Sequence, residues 1–222
     1  MPPSPVEKVW TIIVAGGSGA RFGGPKQYEL LGDKRIIDHS VAVARASSHG
    51  VVIVVPAADC TREGGVAGGA TRSESVRAGL ATVPSDATIV CVHDAARPFA
   101  SRALFAAVIA GVHEGADAAI PGVPVADTIK LIDDNGVVIN TPRRDRLVAV
   151  QTPQAFRAGV LRAAHAAAGE ATDDAALVEG RGGHVVVVDG DVINRKITHP
   201  DDLVWARTQL STRAASTRAV SA

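Results

Sequence analysis

Residues 9–27, VWTIIVAGGSGARFGGPKQ, decide the fold, because an apolar run leads directly into five glycines and two cations. The run 9–14 is continuous rather than alternating, which is typical of a strand whose two faces are both covered. Ligands of open parallel sheets bind beyond the carboxyl ends of the strands, where this loop would lie. Glycines let the backbone approach an anion closely, so the loop predicts a phosphate site.

The same alternation of apolar run and helical pattern continues along the chain. The predicted strands are 9–14, 51–55, 88–92, 118–120 and 184–188, and the predicted helices are 36–46, 71–81, 101–113, 157–168 and 173–179. Strands that alternate with helices predict an α/β fold with a mostly parallel, doubly wound sheet. We expect Ser101 and Thr172 to cap helices, and a last helix to begin at residues 200–202.

One segment interrupts this alternation. Three short strand-like runs lie at 125–132, 137–139 and 147–150, and Asp-Asp-Asn-Gly between the first two predicts a hairpin turn. A projecting β-arm at about 125–150 has little to bury alone, so it predicts a partner-binding element. We expect a single domain over 1–211 that carries this arm, and a disordered low-complexity tail over 212–222.

Composition excludes several classes of protein. The chain has 23 Lys plus Arg and 23 Asp plus Glu, so no net charge draws it to nucleic acid or acidic lipid. Cys60 and Cys91 lack metal-ligand spacing and are expected to be reduced thiols. The first residues form no apolar signal segment, and no apolar run approaches the ~18 residues of a membrane span. These features predict a soluble, cytoplasmic protein that binds neither nucleic acid nor membrane.

The glycine loop matches neither of two familiar phosphate loops. The dinucleotide fingerprint requires glycine three positions after Gly19, where this chain has Phe22, which argues against a nicotinamide dehydrogenase. The Walker pattern requires glycine before the lysine and Ser or Thr after it, but Lys26 lies between proline and glutamine. Arg21 and Lys26 beside backbone donors would instead suit a triphosphate whose charge grows on the leaving pyrophosphate. A strand-to-helix turn with solvated charges is the structural alternative.

Two more motifs are expected at the same edge of the sheet. VHDAARP places Asp94 and Arg97 just after the third strand, where Asp94 could ligate a divalent ion, accept a substrate hydroxyl or merely cap a turn. GGATRSESV is a glycine pair that runs into a helix. Gly69 and Ser75 there could contact a base edge, or the segment could be a plain cap with Arg72 exposed.

Seven motifs follow one another in order across nearly the whole chain: AGGSGARFGGPKQY, GGATRSESV, VHDAARP, DTIK, TPQAF, TDDAALVE and KITHPDDL. Together they resemble the 2-C-methyl-D-erythritol 4-phosphate cytidylyltransferase family of the non-mevalonate isoprenoid pathway. The resemblance implies a Rossmann-like nucleotidyltransferase fold and transfer of CMP from CTP to a sugar-alcohol phosphate, with release of pyrophosphate. It also implies a divalent cation, usually Mg²⁺, and a homodimer in which the β-arm clasps a second subunit.

The resemblance also implies roles for individual residues. Arg21 and Lys26 match the cations that stabilise the reacting α-phosphate, whereas Arg144 and Lys196 match those that position the acceptor. Asp94 matches an aspartate near the metal ion and the substrate. The substrate-binding residues that the resemblance implies are Ala15, Gly16, Gly17, Gly19, Gly69, Ser75, Asp94, Arg97, Thr128 and Thr152, of which Thr128 and Thr152 line the acceptor pocket.

Two alternatives remain open within the same fold. Ribitol-5-phosphate cytidylyltransferase shares the nucleotide-binding half, although HDAARP and the arm motif TPRRDRLVAVQTPQAF favour the isoprenoid enzyme. A non-catalytic nucleotide-binding relative would have kept the fold without turnover, and retention of all four cations argues against it. Ala70 departs from the family pattern, since relatives often have an acidic residue there. Cytosine would then be recognised by backbone groups rather than by the side chain of residue 70.

Overall fold

A mixed sheet of eight strands organises the computed structural model, which describes residues 7–166 and 169–220, with side chains as far as residue 212. The strands of the chain are β1 (Val9–Val14), β2 (Leu30–Leu31), β3 (Lys34–Arg35), β4 (Gly50–Val55), β5 (Val66–Ala67), β6 (Ile89–Asp94), β7 (Ala118–Pro124), β8 (Leu131–Ile132), β9 (Val138–Asn140), β10 (Val148–Val150), β11 (Gln154–Arg157) and β12 (Val185–Asp189). In the main sheet their order is β10–β7–β11–β6–β1–β4–β5, and β12 also pairs with β7. The remaining strands form two small hairpins, β2–β3 and β8–β9.

Seven helices accompany the strands within the described residues. They are α1 (Ile36–Arg45), α2 (Cys60–Glu63), α3 (Arg72–Thr82), α4 (Arg102–His113), α5 (Ala158–Ala166), α6 (Asp174–Glu179) and α7 (Pro200–Val220). The five helices predicted between strands are all present, shifted by one or two residues at their ends. The last two residues of the predicted helix 157–168 lie outside the described residues.

Both faces of the sheet are covered by helices, as the continuous apolar runs predict. Adjacent residues of a strand point to opposite faces, so Ile12 and Ile13 of β1 enter two different clusters, and both are fully buried. Ile13 packs with Ile37 of α1 and Phe105 of α4. Ile12 packs with the buried side chains of α3, α5 and α6. The α/β, doubly wound architecture is therefore confirmed.

The half of the sheet that contains β1 is parallel, whereas the other half is mixed. β1 pairs in parallel with β4 and β6, and β12 pairs in parallel with β7. β11 runs antiparallel between β6 and β7, a strand that the sequence analysis did not predict. β10 was predicted as part of the arm, but it pairs with β7 and so belongs to the main sheet. The sheet remains mostly parallel around the glycine loop.

The β-arm is smaller than predicted. Its strands are β8 and β9 alone, because most of 125–132 makes no ladder. The turn between them is confirmed: the Asp133 carboxylate accepts hydrogen bonds from Asn135 N and Val137 N, and Asp133 N donates to Val137 O. Its apolar side chains are half exposed or more, among them Leu131, Ile132, Val138 and Ile139. A face of this kind is typical of a surface that meets a partner.

Helix caps agree with the sequence at one of the two predicted positions. Ser101 Oγ accepts a hydrogen bond from Leu104 N at 3.1 Å, so that cap is confirmed. The cap of α6 is Asp173 rather than Thr172, because the Asp173 carboxylate accepts from Ala176 N at 3.0 Å. A carboxylate at that position also interacts favourably with the positive end of the helix dipole.

Helix α7 differs from expectation at its end but not at its start. It begins at Pro200, where Asp202 Oδ2 accepts hydrogen bonds from Thr198 N and His199 N, both at 2.8 Å. It extends through Val220, although disorder was predicted over 212–222, and residues 221–222 lie outside the described residues. The alanines and arginines of this segment are good helix formers, so the helix continues beyond its packed first half.

A third, smaller cluster joins α7 to the loops at the edge of the sheet. Leu203 and Ala206 of α7 pack with Leu31, Phe99 and Ile197, and Phe22 of the glycine loop lies against the same cluster. Both cysteines are free, and burial raises the pKa of Cys91 to about 12, which makes that thiol unreactive. None of the helices described here is both long and apolar enough to span a bilayer.

Candidate active site

A cavity of about 410 Å³ opens beyond the carboxyl ends of β1 and β6. Its walls include ten of the residues predicted for the site, namely Ala15, Gly16, Gly17, Gly19, Arg21, Lys26, Gly69, Ser75, Asp94 and Lys196. The glycine loop forms one wall, the start of α3 forms another, and Lys196 reaches in from the loop before α7. The topology thus gathers segments that are far apart in sequence, as a two-substrate site would require.

The glycine loop is shaped by Gly19, which has a φ of +70°. Its carbonyl accepts hydrogen bonds from Phe22 N at 2.8 Å and from Gly23 N at 3.0 Å, so the loop turns back on itself. A Cβ at Gly19 would lie 1.7 Å from Gly24 O, and therefore no other residue fits there without moving the loop. This tight turn brings both Arg21 and Lys26 to the wall of the cavity.

The opposite wall needs glycine for a different reason. Ser75 Oγ donates to Thr71 O at 2.9 Å and lies so close to Gly68 that a Cβ there would approach it to 2.7 Å. A Cβ at Gly69 would lie 2.3 Å from Glu74 Cβ. The glycine pair therefore lets the chain pass directly over the first turn of α3, which leaves backbone groups at the wall of the cavity.

Glu74 binds the backbone N–H of Ala70 at the start of α3. Glu74 Oε2 accepts from Ala70 N at 2.6 Å and from Thr71 N at 3.1 Å, while Thr71 Oγ1 accepts from Glu74 N. This reciprocal capping box begins α3. The Ala70 N–H is thus committed to the cap and is not available to a base.

Asp94 lies at the centre of the charged part of the site. Its backbone N–H donates to Thr152 Oγ1 at 3.0 Å, and its carboxylate receives Lys196 Nζ at 2.6 Å. Arg72 Nε lies 3.5 Å from the other carboxylate oxygen. Burial alone would raise the pKa of Asp94, but the charges of Lys196 and Arg72 outweigh it and hold the pKa far below its usual range. Asp94 is consequently ionised at any physiological pH.

Lys26 lies in surroundings that disfavour its own charge. Burial lowers its pKa, and the nearby positive charges of Lys196 and Arg21 lower it further, against a smaller opposing effect of Asp94. Four cationic side chains and one carboxylate, Asp94, line the cavity, so positive charge is in excess there. An incoming polyanion would relieve this excess, so the electrostatics favour a phosphate ligand.

Two predicted residues lie behind the cavity wall. Thr152 is buried, and its hydroxyl contacts His93 Nδ1 at 3.1 Å in addition to Asp94 N. Arg97 is largely buried and donates to Asn194 O at 2.9 Å. Both side chains hold strand ends together beneath Asp94 and Lys196. Their contacts support the site from outside the cavity.

The other two predicted residues lie on the arm. Thr128 and Arg144 are exposed, and neither is part of the cavity wall. Arg144 Nη1 donates to Ala126 O at 2.7 Å, so its guanidinium folds back against the base of the arm. Within one chain these two residues therefore do not share the cavity that Lys196 lines.

Arg72 is the functional candidate that the sequence analysis missed, since it was considered only as an exposed arginine. The structure places it in the cavity wall, between Asp94 and a second carboxylate, Asp174. Asp174 is fully buried and belongs to the TDDAALVE motif. The motif was noticed for its resemblance, but no spacing rule connects it with an arginine 102 positions away.

The described residues contain no group of three His, Cys, Asp or Glu side chains that could enclose a metal ion. Asp94 is the one carboxylate in the cavity wall. Mg²⁺ commonly binds through one or two carboxylates together with substrate phosphates. The residues therefore fit a cation that arrives with a nucleotide better than one held by the protein alone.

Comparisons with known proteins agree with the geometry. A family model described as 2-C-methyl-D-erythritol 4-phosphate cytidylyltransferase matches residues 9–212. A protein of that name from Syntrophotalea carbinolica is 42% identical over 92% of this chain and 97% of its own length. Another from Rhodococcus opacus is 45% identical over 90% of this chain and 93% of its own.

Solved structures show the same architecture. The 4-diphosphocytidyl-2C-methyl-D-erythritol synthase of Anaerococcus prevotii superposes with a TM-score of 0.82 at 29% identity, and covers 92% of this chain and 99% of its own. The 2-C-methyl-D-erythritol 4-phosphate cytidylyltransferase of Thermus thermophilus gives 0.77 at 34% identity over 90% and 98% of the two chains. The fold, the motifs at the strand ends and the match over nearly the full length lead to one conclusion: the chain belongs to the 2-C-methyl-D-erythritol 4-phosphate cytidylyltransferase family.

Proposed function

We propose that the protein transfers CMP from CTP to 2-C-methyl-D-erythritol 4-phosphate, giving 4-diphosphocytidyl-2-C-methyl-D-erythritol and pyrophosphate for isoprenoid precursor synthesis. One observation carries the proposal: a single cavity joins the glycine loop, with Arg21 and Lys26, to Lys196 on a distant loop. The loop cations would contact the triphosphate of CTP. Lys196 would hold the phosphate of the acceptor on the other side of Asp94.

The chemistry requires little from the protein in the way of proton transfer. The acceptor phosphate is already anionic at neutral pH, so an oxygen of this phosphate can attack the α-phosphorus of CTP directly. A new P–O bond forms as the bond to the bridging oxygen breaks, and pyrophosphate leaves with that pair of electrons. The obstacle is repulsion between two anions, which Arg21, Lys26 and Lys196 would offset while they fix the in-line geometry.

The base would lie against the wall formed by the two glycine segments. Gly16, Gly69 and Ser75 line this part of the cavity, and the Ser75 hydroxyl lies against Gly16 and Gly68. Ser75 Oγ already donates to Thr71 O, which leaves its lone pairs to accept a hydrogen bond from an amino group. Backbone carbonyls and this hydroxyl would therefore read the cytosine edge without help from residue 70.

We propose that Mg²⁺ enters bound to the CTP phosphates, with Asp94 as the nearest protein carboxylate. Mg²⁺ would neutralise part of the triphosphate charge and orient the phosphates. Asp94 must then share its oxygens between the cation and Lys196. Its very low pKa supports this role, because the carboxylate stays ionised in every state.

We also propose that two chains form a homodimer through the β-arm. Arg144 and Thr128 lie on the arm and away from the cavity of their own chain, which supports a role in the cavity of a second subunit. The half-exposed apolar side chains of the arm, including Ile132 and Ile139, would be buried by such an exchange. A cytoplasmic location stays a prediction from the sequence.

Release of pyrophosphate tests the proposed reaction directly. Purified protein would be incubated with CTP and Mg²⁺, and with either methylerythritol 4-phosphate or ribitol 5-phosphate as acceptor. We expect release with the methylerythritol acceptor alone. Release with ribitol 5-phosphate alone would support the alternative cytidylyltransferase, and would overturn the assignment of the acceptor side. No release with either acceptor, from protein that binds CTP, would indicate a non-catalytic relative.

A further inference from the structure

A series of ionisable side chains runs from the buried His165 of α5 to Lys196 in the wall of the cavity. His165 Nε2 lies 2.9 Å from Asp174 Oδ1, and Arg72 Nη1 donates to Asp174 Oδ2 at 2.7 Å. Arg72 Nε lies 3.5 Å from Asp94 Oδ1, and Lys196 Nζ donates to Asp94 Oδ2 at 2.6 Å. Five segments of the chain therefore contribute to one series, in which each carboxylate lies between two basic groups.

Asp174 joins this series to the cavity wall although its own side chain does not line the cavity. It is fully buried in the first turn of α6, and it is not part of the cavity wall. A buried ionic series contributes little stability compared with well-packed apolar side chains, whereas loss of one partner leaves a buried charge uncompensated. The contacts of Asp174 thus point to a role that it performs through Arg72, which does line the cavity.

We propose that Asp174, backed by His165, is a positioning residue that divides Arg72 between two carboxylates and so keeps Asp94 Oδ2 available to Lys196. Guanidinium groups favour bidentate pairing with a single carboxylate. Without the charge of Asp174, Arg72 would turn towards Asp94 and engage both of its oxygens. Lys196 would then lose part of the negative charge that holds its ammonium group at the cavity. The link to catalysis rests on the proposed function, but the positioning itself does not.

The reactivity of Lys196 tests the positioning without any assay of activity. Folded protein would be treated with limiting acetic anhydride, and acetylation of Lys196 would be followed by peptide mass spectrometry, with the exposed Lys130 as internal reference. In Asp174→Asn we expect Lys196 to react roughly threefold faster or more, because its carboxylate partner is taken by Arg72. Asp173→Asn is the matched control, since the neighbouring Asp173 caps α6 and contacts Gln154. Equal rates in Asp174→Asn and the wild type would overturn the proposal.

A second variant distinguishes positioning of Lys196 from a general loosening of the site. The proposal requires the rate of Lys196 acetylation to change in the opposite direction in this variant. In Arg72→Gln, Lys196 loses its competitor for Asp94 and should be held more firmly, so its acetylation should be slower than in the wild type. Loosening of the site would accelerate acetylation in both variants. Arg72→Gln also decides the matter by itself if Asp174→Asn fails to fold: unchanged or faster acetylation of Lys196 would contradict the proposal.

Kinetics then connect positioning with the reaction. In Asp174→Asn we expect the KM of the acceptor to rise roughly fivefold or more and the KM of CTP to change less than about twofold. In a Lys196→Ala background the same substitution should have no further effect, because the two residues act in one series. Altered acetylation with an unchanged acceptor KM would support the positioning and overturn the assignment of Lys196 to the acceptor. Acetylation therefore tests the positioning by Asp174, and the KM of the acceptor tests the proposed role of Lys196, so that either can fail separately.

Discussion

At the scale of single residues, the cavity wall carries more positive than negative charge. Lys26 shows this most clearly, because burial, Lys196 and Arg21 all lower its pKa. In the free protein the charged form of Lys26 is therefore less stable than in an ordinary lysine. A bound triphosphate would restore that stability, and the charge would be most useful where negative charge accumulates in the transition state.

The pH dependence of catalysis should report the ionisation of Lys26. Because its pKa in the free protein lies below 10.5, kcat/KM for CTP should fall on the alkaline side earlier than an ordinary lysine would require. Lys26→Arg should move this decline to higher pH, since arginine keeps its charge. Lys26→Ala should lower kcat by roughly 100-fold or more at neutral pH. An alkaline decline that stays in place in Lys26→Arg would assign it to another group.

Arg144 should act on the acceptor and not on the nucleotide. Arg144→Ala is expected to raise the KM of the acceptor about tenfold while the KM of CTP changes little, because one arginine–phosphate contact is lost. Steady-state kinetics with each substrate varied in turn would measure both constants. Arg143→Ala is the matched control, because Arg143 pairs with Asp145 on the same exposed turn. An effect confined to CTP would contradict the assignment.

At the scale of elements, the arm is the part of the chain whose apolar side chains no other described element of the same chain covers. Strands β8 and β9 pair only with each other, and their outward apolar side chains lie open to solvent. A two-stranded hairpin of this size is marginal alone. Contact with a second chain would cover it and, under the proposed function, would bring Arg144 to the cavity of that chain.

The dimer can be tested by placing charge on the arm. Ile132 and Ile139 are 54% and 62% exposed, so Ile132→Asp with Ile139→Asp should leave the fold intact and abolish dimerisation. Sedimentation velocity at micromolar concentration would show dimer in the wild type and monomer in the variant. Val204→Asp is the control, because Val204 is also 62% exposed but lies on α7. A monomeric wild type, or a variant that still dimerises, would exclude the arm as the interface.

Elements were predictable where sequence pattern and burial coincide. The central strands are continuous apolar runs, so β1, β4 and β6 were located within two residues at each end. β11 was not found, because its four residues, QAFR, include two polar side chains and it reaches the sheet only through antiparallel pairing with β6 and β7. The hairpin of β2 and β3 was missed for a similar reason, since two-residue strands carry no periodicity.

The candidate site was predictable to the extent that its residues follow strands directly. Arg21, Lys26 and Asp94 come soon after β1 or β6, and the rule for the carboxyl ends of parallel strands brings them together. The pairing of Arg72 with Asp174 was not predictable, since it depends on how α3 and α6 pack on one face of the sheet. Arg144 was assigned by resemblance alone, and no geometry within one chain tests it.

At the scale of the whole molecule, stability should depend on pH through buried His93. Burial lowers the pKa of His93 from 6.5 to about 4, so the folded state takes up a proton less readily than the unfolded state. Stability is then fully present above pH 6.5 and is lost as the pH falls towards 4. Between about pH 7.5 and about pH 5.5 this histidine should remove about 1 kcal/mol from the free energy of unfolding.

Urea denaturation of the wild type and of His93→Gln at the two pH values would measure this contribution. The free energy of unfolding of the variant should fall less between the two pH values than that of the wild type, whatever the variant's stability at neutral pH. Carboxylates with a low pKa, such as Asp94, give up their contribution only at more acidic pH and do not obscure the comparison. If the free energy of unfolding changed equally with pH in the two proteins, His93 would not titrate as its burial requires.

The small cluster around Leu203 and Ile197 has a consequence for how the enzyme would fail on heating. The loops that carry Arg21 and Lys196 are outside the strands of the main sheet, and this cluster ties them together through Phe22 and Ile197. It is a separate and smaller body than the two clusters that cover the sheet. If this cluster loosens first, Arg21 and Lys196 lose their relative positions while the main sheet and its helices remain folded. Activity should then be lost at a lower temperature than secondary structure. Brief warming should inactivate the protein while its circular dichroism spectrum is still that of the native state.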